Sequence, residues 1–374
     1  MKSKLITFIL LLLTIVLLAG IIFFAWAIYK DLFFTDAVET VHTSDNTIIV
    51  DDGSQRTISK EKKSFGDTIV SFFTNTDEKS TTYSSSNSIG KFFYEQLNET
   101  QKIIYNGLQE SKDKLTSGTY KIEFGNEFYD ILSKENGSEV LGDDYQTAIE
   151  AFTHDNPDLF YINVSRMFLN METKKKAFKT TYNVFIGPEE GGNYFAKGFL
   201  SESDVKLAMQ KIEEEKEYVK SKLTGNTYKD IKIIHDYLVD NLSYDENNQS
   251  IGTYSIYGAL VEKKCVCEGY TRAFKYLADM AGINCVLIQG TGTNTEGKTE
   301  KHAWNAVYLN GFWYLIDTTW DDPIIVGRGI VLGNTHYKYF LKGSKSFSKD
   351  HIEEKQFSEG GKQFEYPKIS EQDY

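Results

Sequence analysis

Proline and cysteine are scarce in this 374-residue chain, and its 41 basic residues are outnumbered by 53 acidic ones. Its 4 prolines exclude a proline-rich linker, and its 3 cysteines cannot form a complete disulfide framework because one thiol must stay unpaired. The net charge of −12 and the lack of a basic stripe with interleaved aromatic residues argue against nucleic-acid binding. What is present, 41% hydrophobic and 25% charged residues, is typical of a globular protein long enough for two domains.

One long apolar run, residues 5–29, contains no charged residue. About 20 apolar residues cross a bilayer as a helix, so we predict that residues 1–30 form an uncleaved transmembrane signal anchor. A cleaved signal peptide is the alternative, since Ala25-Trp26-Ala27 has the small-residue pattern of a cleavage site. Lys2 and Lys4 precede the run, which predicts a cytoplasmic N-terminus and an extracellular body at the cell membrane.

Composition divides the rest of the chain into three regions. Residues 31–88 are rich in Ser, Thr, Asp and Asn, and we predict a polar spacer. Residues 89–200 are interpreted as a mixed helix/strand accessory region, whose aromatic side chains either pack in a core or line a ligand groove. Residues 201–374 are predicted to form the catalytic domain.

Apolar spacing and turn signals predict four helices and two strands in these regions. One helix passes through Tyr105, and a second ends at Asp155-Asn156-Pro157, where proline disfavours helical geometry in the preceding residue. Ser201 can cap a third helix, with an apolar stripe of Val205, Met209 and Ile212, and a fourth covers residues 227–242. Residues 159–162 and 180–186 are the predicted strands.

The stretch from Lys264 to Asp322 contains the residues that could take part in a chemical reaction. Cys267 opens a predicted helix that Gly282 ends, and Cys265 lies two residues too early. A helix N-terminus carries partial positive charge, which favours a thiolate, so Cys267 is the predicted nucleophile. Cys265 and Cys285 either form a disulfide or, in the interpretation we prefer, are small buried apolar groups.

A hairpin follows the apolar run of residues 285–288 and a predicted polar loop of residues 291–301. Asn310-Gly311 between two β-prone runs favours a type I′ turn, in which both residues adopt positive φ. A two-residue loop pairs Trp304 with Asp317 and makes His302 a diagonal, same-face neighbour of Asp317, roughly 7–8 Å away. A carboxylate there can orient the imidazole, and the predicted roles are therefore attack by Cys267, proton transfer by His302 and orientation by Asp317.

These motifs resemble the transglutaminase-like superfamily of papain-type cysteine enzymes, as a bacterial, membrane-anchored member. The resemblance covers about residues 201–323 and rests on Cys-Glu-Gly-Tyr from Cys267, His-Ala-Trp-Asn from His302, and Asp317 before Thr-Thr-Trp. It implies an α+β fold in which the nucleophile helix packs on an antiparallel sheet, and it maps the family triad onto the same three residues. Because the superfamily includes transamidases, peptidases, amidases and inactive members, the resemblance implies no single reaction.

Other site residues are predicted from position alone. The backbone N–H of Cys267 is a natural oxyanion donor because it lies at a helix start. Trp304 is either a wall of the acyl pocket or a cross-strand packing partner, and Tyr257 is a candidate for oxyanion or substrate binding that can equally be a packing residue. Asp321-Asp322-Pro323 is interpreted as a turn rather than a calcium ligand set.

Three further histidines have no predicted chemistry. His235 lies beside an apolar helix face and is interpreted as structural, since no metal-ligand spacing surrounds it. His336 and His351 have no partner that the sequence identifies.

The predicted function is a membrane-anchored, extracytoplasmic thiol enzyme that acts on amide bonds through a thioester. Hydrolysis of a surface or cell-wall peptide is preferred, because an anchored enzyme with a spacer has such substrates within reach. A protein-crosslinking transamidase is the second interpretation, and a non-catalytic surface binding module with a vestigial triad is the third. The enzyme interpretations require a peptide or protein substrate but no metal and no organic cofactor.

Overall fold

The computed structural model describes residues 37–42, 90–176, 179–322 and 335–374. The predicted signal anchor and most of the predicted spacer lie outside these residues, as does Pro323 of the predicted turn. Within the described ranges, no helix combines the length and the apolar character needed to cross a bilayer.

The described chain is a mixture of helices and mainly antiparallel strands. The strands are Ala37–His42 (β1), Ile122–Gly125 (β2), Phe168–Lys176 (β3), Lys179–Gly187 (β4), Ser243–Tyr244 (β5), Lys264–Cys265 (β6), Cys285–Thr293 (β7), Thr299–Leu309 (β8), Phe312–Ile316 (β9), His351–Glu353 (β10), Gln356–Phe357 (β11) and Gln363–Phe364 (β12). The α-helices are Glu99–Glu110 (α1), Tyr129–Leu132 (α2), Gly137–Asp155 (α3), Glu202–Lys220 (α4), Thr227–Asn241 (α5), Cys267–Met280 (α6), Thr318–Asp321 (α7) and Ser344–Phe347 (α8). A π-helical turn covers Gly258–Glu262.

The accessory region contains a four-stranded antiparallel sheet in the order β1-β3-β4-β2. The predicted strand at residues 180–186 is confirmed as part of β4. The predicted strand at residues 159–162 is wrong, since this segment is a turn with one isolated bridge from Ile162 to Phe195. The spacer prediction is wrong for residues 37–42, which form β1 and pair with β3.

The four predicted helices are all present, and local capping explains where α1 and α4 begin. Asn98 and the α1 residue Gln101 form a reciprocal capping box, and Ser201 accepts a hydrogen bond from the backbone of Asp204 at the start of α4. The second helix ends at Asp155, directly before Asn156-Pro157. The predicted apolar stripe of α4 is wrong at one position, because Met209 is 38% exposed.

The sheet that carries the candidate site has the order β10-β7-β8-β9 and is antiparallel throughout. Helix α6 packs against β7 and β8 through its buried face, which includes Phe274 and Leu277. Gly282, at φ 73°, ends this helix, and the backbone N–H of Ile283 donates to the carbonyl of Ala278 as in a Schellman motif. The predicted α+β arrangement of a helix packed on an antiparallel sheet is confirmed.

The predicted hairpin register is confirmed between β8 and β9. Asn305 pairs with Ile316 and Leu309 with Phe312, and Asn310 and Gly311 both have positive φ, as a type I′ turn requires. The loop predicted at residues 291–301 is wrong in extent, because β7 continues to Thr293 and β8 begins at Thr299. Only the short turn between them is irregular.

One hydrophobic core runs through the accessory region and the sheet that carries the candidate site. Phe93 packs edge-to-face on Phe364 near the C-terminal end of the chain, with 5.4 Å between the ring centroids. The Arg272 guanidinium of α6 donates to the Thr153 carbonyl of α3 at 3.2 Å. The boundary predicted at residue 200 therefore separates two sheets but not two cores.

Candidate active site

Cys267 is the first residue of α6, directly after the short strand β6. Its side chain is partly exposed, whereas Cys265 and Cys285 are buried, and all three are free thiols. The preferred interpretation of Cys265 and Cys285 as buried apolar groups is confirmed. Burial raises the pKa of both buried thiols, so neither is a ready nucleophile.

His302 lies on β8 and connects the thiol to a carboxylate. Its Nε2 lies 2.7 Å from Oδ2 of Asp317, and the Cys267 thiol is near enough to raise the pKa of the imidazole. Because Nε2 is engaged by Asp317, Nδ1 is the nitrogen left for the sulfur. The structure therefore brings together the three side chains that the sequence singled out.

Asp317 reaches His302 from a different local structure than the sequence predicted. Strand β9 ends at Ile316, and Asp317 is the N-cap of α7, so the predicted pairing of Trp304 with Asp317 is wrong. The Asp317 Oδ1 accepts the backbone N–H groups of Thr319 at 3.0 Å and Trp320 at 3.2 Å. This cap fixes the carboxylate and leaves Oδ2 directed at the imidazole.

Charge attraction outweighs burial at the imidazole. Burial alone would lower the pKa of His302, but attraction to Asp317 and hydrogen bonds with Asp317 and Cys267 raise it to about 10. Burial would likewise raise the pKa of Asp317, but His302 and His351 hold it well below its usual range. Asp317 is therefore ionised at neutral pH, and His302 is held as a cation beside the thiol.

Aromatic rings enclose the imidazole. Trp320 stacks on His302 with 5.0 Å between ring centroids, and Trp304 lies 6.0 Å away at a tilt. Two glycines of β7 make the space for these rings, because a Cβ at Gly292 would lie 2.7 Å from Trp320, and one at Gly290 would lie 2.5 Å from Trp304. The Gly-Thr-Gly pattern in β7 is thus a packing requirement of the site.

The two residues predicted to bind substrate occupy different environments. Trp304 is 2% exposed, and its indole N–H has no hydrogen-bond partner within the described part of the chain. Tyr257 is partly buried and packs on Phe160 and Phe199, with ring centroids 5.9 Å and 5.4 Å away. These contacts favour packing for both residues, and a role in binding substrate stays a prediction.

Tyr244 is a site residue that the sequence reasoning missed. It lies on β5, which pairs in parallel with β6 just before Cys267. Burial raises the pKa of Tyr244, and the charge of the nearby Cys267 thiolate raises it further. The Asn-Leu-Ser-Tyr segment at the end of α5 carries no sequence signal that Tyr244 lies near Cys267.

The remaining acidic and histidine residues near the site form hydrogen bonds with neighbouring groups of the fold. Asp321 accepts from the Tyr339 backbone at 2.9 Å and lies 3.1 Å from Nε2 of His235, and Asp322 accepts from the Tyr270 hydroxyl at 2.6 Å. His235 is fully buried, as a structural histidine would be. His351, for which the sequence identified no partner, contacts Asp317 directly.

A partly exposed thiol at a helix start, a buried imidazole and a fixed carboxylate form the side-chain set of a papain-type thiol site. The imidazole can exchange a proton with the sulfur on one side while the carboxylate holds its tautomer on the other. The side chains present can thus support nucleophilic attack on a carbonyl carbon.

Comparison with known proteins points to the same class. Residues 216–318 match the Transglutaminase-like superfamily. The kyphoscoliosis peptidase of Mus musculus is 35% identical over 101 residues, which are 24% of this chain and 15% of that protein. The Lim and transglutaminase domain protein ltd-1 of Caenorhabditis elegans is 28% identical over 127 residues, which are 29% of this chain and 18% of that protein.

A solved structure described as a TGase is 17% identical and covers 44% of this chain and 48% of its own, with a TM-score of 0.28, too low to carry a structural inference. The chain spans less than a fifth of the length of the curated relatives, at 15% and 18%. The sequence match nevertheless covers Cys267, His302 and Asp317. Residues 216–318 of this chain belong to the transglutaminase-like superfamily.

Proposed function

We propose that this chain is a thiol enzyme that acts on amide bonds of peptides or proteins through Cys267, His302 and Asp317. The observation that carries the proposal is the position of the His302 ring, which is hydrogen-bonded to Asp317 at 2.7 Å and has the Cys267 thiol near enough to raise its pKa. A buried imidazole between a thiol and an ionised carboxylate is the arrangement that nucleophilic catalysis requires.

The reaction proceeds in two halves. The Cys267 thiolate attacks the amide carbonyl carbon, and the oxyanion that forms lies near the free backbone N–H groups at the start of α6. His302 then gives its proton to the departing amine as the C–N bond breaks, which leaves a thioester. In the second half, His302 takes a proton from the incoming acceptor, which attacks the thioester and releases the sulfur.

Water is our preferred acceptor, which makes the chain a peptidase or amidase. The mouse relative is named a peptidase, and the Cys267 side chain is partly exposed, so water can reach a thioester at this position. A cross-linking transamidase would use an amine instead, and the nematode relative carries a transglutaminase domain in its name. The choice depends on how well the acyl-enzyme excludes water.

We place the enzyme at the cell membrane. Residues 5–29 are long and apolar enough to anchor it, and the lysines before them favour an outward-facing body. A surface protein or cell-wall peptide is then the substrate within reach. Extraction of membranes with alkaline carbonate tests the anchor: the full chain should stay in the pellet, and its release would refute this part of the proposal.

Thiol alkylation tests whether the site is reactive. Iodoacetamide at neutral pH should modify Cys267 far faster than Cys265 and Cys285, which serve as buried controls in the same molecule. His302→Ala should remove that advantage without changing the labelling of the other two thiols. Equal, slow labelling of all three in the folded wild type would favour a non-catalytic binding module with a vestigial triad.

Product analysis then separates hydrolysis from transamidation. A peptide amide is incubated with the full chain, with and without an excess of a primary amine, and the products are weighed by mass spectrometry. Our proposal expects the free acid in both reactions and neither product with Cys267→Ala. If the main product instead contains the amine, the proposed function changes from hydrolase to transamidase.

A further inference from the structure

Asp317 has a second imidazole partner. Nε2 of His351 lies 3.1 Å from Oδ2 of Asp317, the same oxygen that lies 2.7 Å from Nε2 of His302. With the two backbone N–H groups on Oδ1, the carboxylate has four donors around it. A carboxylate has about four lone-pair sites, so its hydrogen-bonding capacity is full and its orientation is fixed.

Asp350 fixes the other side of the His351 ring. Its Oδ1 lies 2.8 Å from Nδ1 of His351, and its Oδ2 accepts from the Tyr339 hydroxyl at 2.7 Å, with Lys338 Nζ 3.7 Å away. An ionised carboxylate only accepts hydrogen bonds, so the ring satisfies both acidic neighbours when both of its nitrogens carry a proton. The acid–imidazole chain thus continues past Asp317, through the buried His351 to the partly exposed Asp350.

The sheet explains how a distant residue reaches the site. His351 pairs with Gly292 on β7, and His302 pairs with Gly290 on the other edge of the same strand. Neither glycine has a side chain, so the two imidazoles approach across β7, with 5.4 Å between their centroids. Packing also holds the His351 ring, whose centroid lies 4.1 Å from that of Phe347 and 4.4 Å from that of Trp320.

We propose that His351 is a positioning residue that holds the Asp317 carboxylate on His302, so that the working unit runs Cys267–His302–Asp317–His351–Asp350. The inference rests on the proposed thiol function. His351 does not touch the sulfur, and its effect is to keep Oδ2 of Asp317 in line with Nε2 of His302. Loss of this contact frees the carboxylate to rotate and weakens its hold on the imidazole tautomer.

A metal site is the competing interpretation of the same three side chains. The ligand atoms of His302, Asp317 and His351 lie within 4.8 Å of one another, which is close enough for a divalent cation. However, Nε2 of His302 and Nε2 of His351 are each already hydrogen-bonded to Asp317. The hydrogen bonds explain the arrangement without an ion, and the experiment includes this alternative as an outcome.

The test compares the pH dependence of Cys267 alkylation in the full chain and in three variants. His351→Phe keeps a ring for packing but removes both donors, and His351→Gln retains an amide donor. The matched control is His235→Phe, because His235 is also buried between two carboxylates, Asp236 and Asp321, but does not contact Asp317. Urea unfolding reports the stability of each protein, and rates are compared only where the protein is folded.

We expect His351→Phe to slow alkylation at pH 7 by roughly 10- to 100-fold, the effect of losing one hydrogen bond to a charged group, and to shift the pH profile. His351→Gln should recover part of the rate, and His235→Phe should lose stability with an unchanged profile. A folded His351→Phe with the wild-type profile would overturn the inference. So would loss of reactivity on chelator treatment with recovery on Zn²⁺ addition, since that result assigns the cluster to a metal.

The outcomes separate the two proposals. If Cys267 of the wild type reacts no faster than the buried thiols, the thiol function itself fails. If the wild type is reactive and the folded His351 variants behave like it, the positioning role fails and the thiol function stands.

Discussion

Replacing Asp317 by asparagine tests the electrostatics of the site with little change in shape. The side-chain amide of the Asp317→Asn variant would keep an oxygen to accept the backbone N–H groups of Thr319 and Trp320, so helix α7 should stay capped. The amide nitrogen would then face Nε2 of His302 and donate to it. That contact favours the tautomer with its proton on Nδ1, which cannot take a proton from the thiol.

The size of the effect follows from the pKa of His302, which rises from an ordinary 6.5 to about 10. At about 1.4 kcal/mol for each pKa unit, this rise corresponds to about 5 kcal/mol. His302 is 8% exposed and Asp317 1%, so solvent screens their attraction little. If Asp317 supplies about half of that energy, its neutralisation should lower the population of the thiolate–imidazolium pair by about 100-fold.

The assay is the alkylation rate of Cys267 at pH 7, followed by mass spectrometry, with Cys265 and Cys285 as internal references. Asp236→Asn is the matched control, since it removes a carboxylate from the buried His235 and leaves the thiol site intact. We expect a loss of about 100-fold for Asp317→Asn alone. A folded Asp317→Asn protein with the wild-type rate would refute the reasoning.

Three further predictions concern stability. The raised pKa of His302 implies a contribution to stability that is complete below pH 6.5 and is lost as the pH rises towards about 10. The difference in unfolding free energy between the wild type and His302→Gln should therefore shrink over that pH range. A constant difference would contradict the assignment of a positive charge to His302. Gly269→Ala should destabilise the fold by about 1–3 kcal/mol in urea unfolding, because a Cβ there would lie 2.8 Å from the Cys265 sulfur, and an unchanged midpoint would rule out this close packing. Tyr270→Phe should cost about 1–3 kcal/mol, since it removes the buried 2.6 Å hydrogen bond to Asp322, and a neutral effect would show that the bond contributes nothing net.

The sequence predicts best where the structure is decided locally. The turn at Asn310-Gly311 sets the register of β8 and β9, since two residues with positive φ permit only one short hairpin geometry. The stop of α6 at Gly282 has the same local origin. To bring Cys267 towards His302, the chain must also pair β7 with β8 and pack α6 on both strands.

Prediction fails where neighbours distant in sequence decide the structure. The run after Ile316 is β-prone, yet the backbone N–H of Asp317 donates to the distant Tyr339 carbonyl, and Asp317 caps a helical turn instead of continuing the strand. Residues 159–162 are also β-prone, but they form a turn and a single bridge. The role of His351 is invisible in the sequence because β10 is only three residues long and has no periodicity to read.

The shared core has a consequence for how this protein evolves and how it is handled. Helix α6 carries the Cys267 sulfur, and the guanidinium of its Arg272 hydrogen-bonds to the carbonyl of Thr153 near the end of α3. The C-terminal segment packs on Phe93 through Phe364. A fragment trimmed to the superfamily boundaries, residues 216–318, would lose the Arg272–Thr153 hydrogen bond and the packing of Phe93 on Phe364. Truncations for expression, and any gene fusion that includes the candidate site, should therefore keep residues 90–200 and the C-terminal segment together with it.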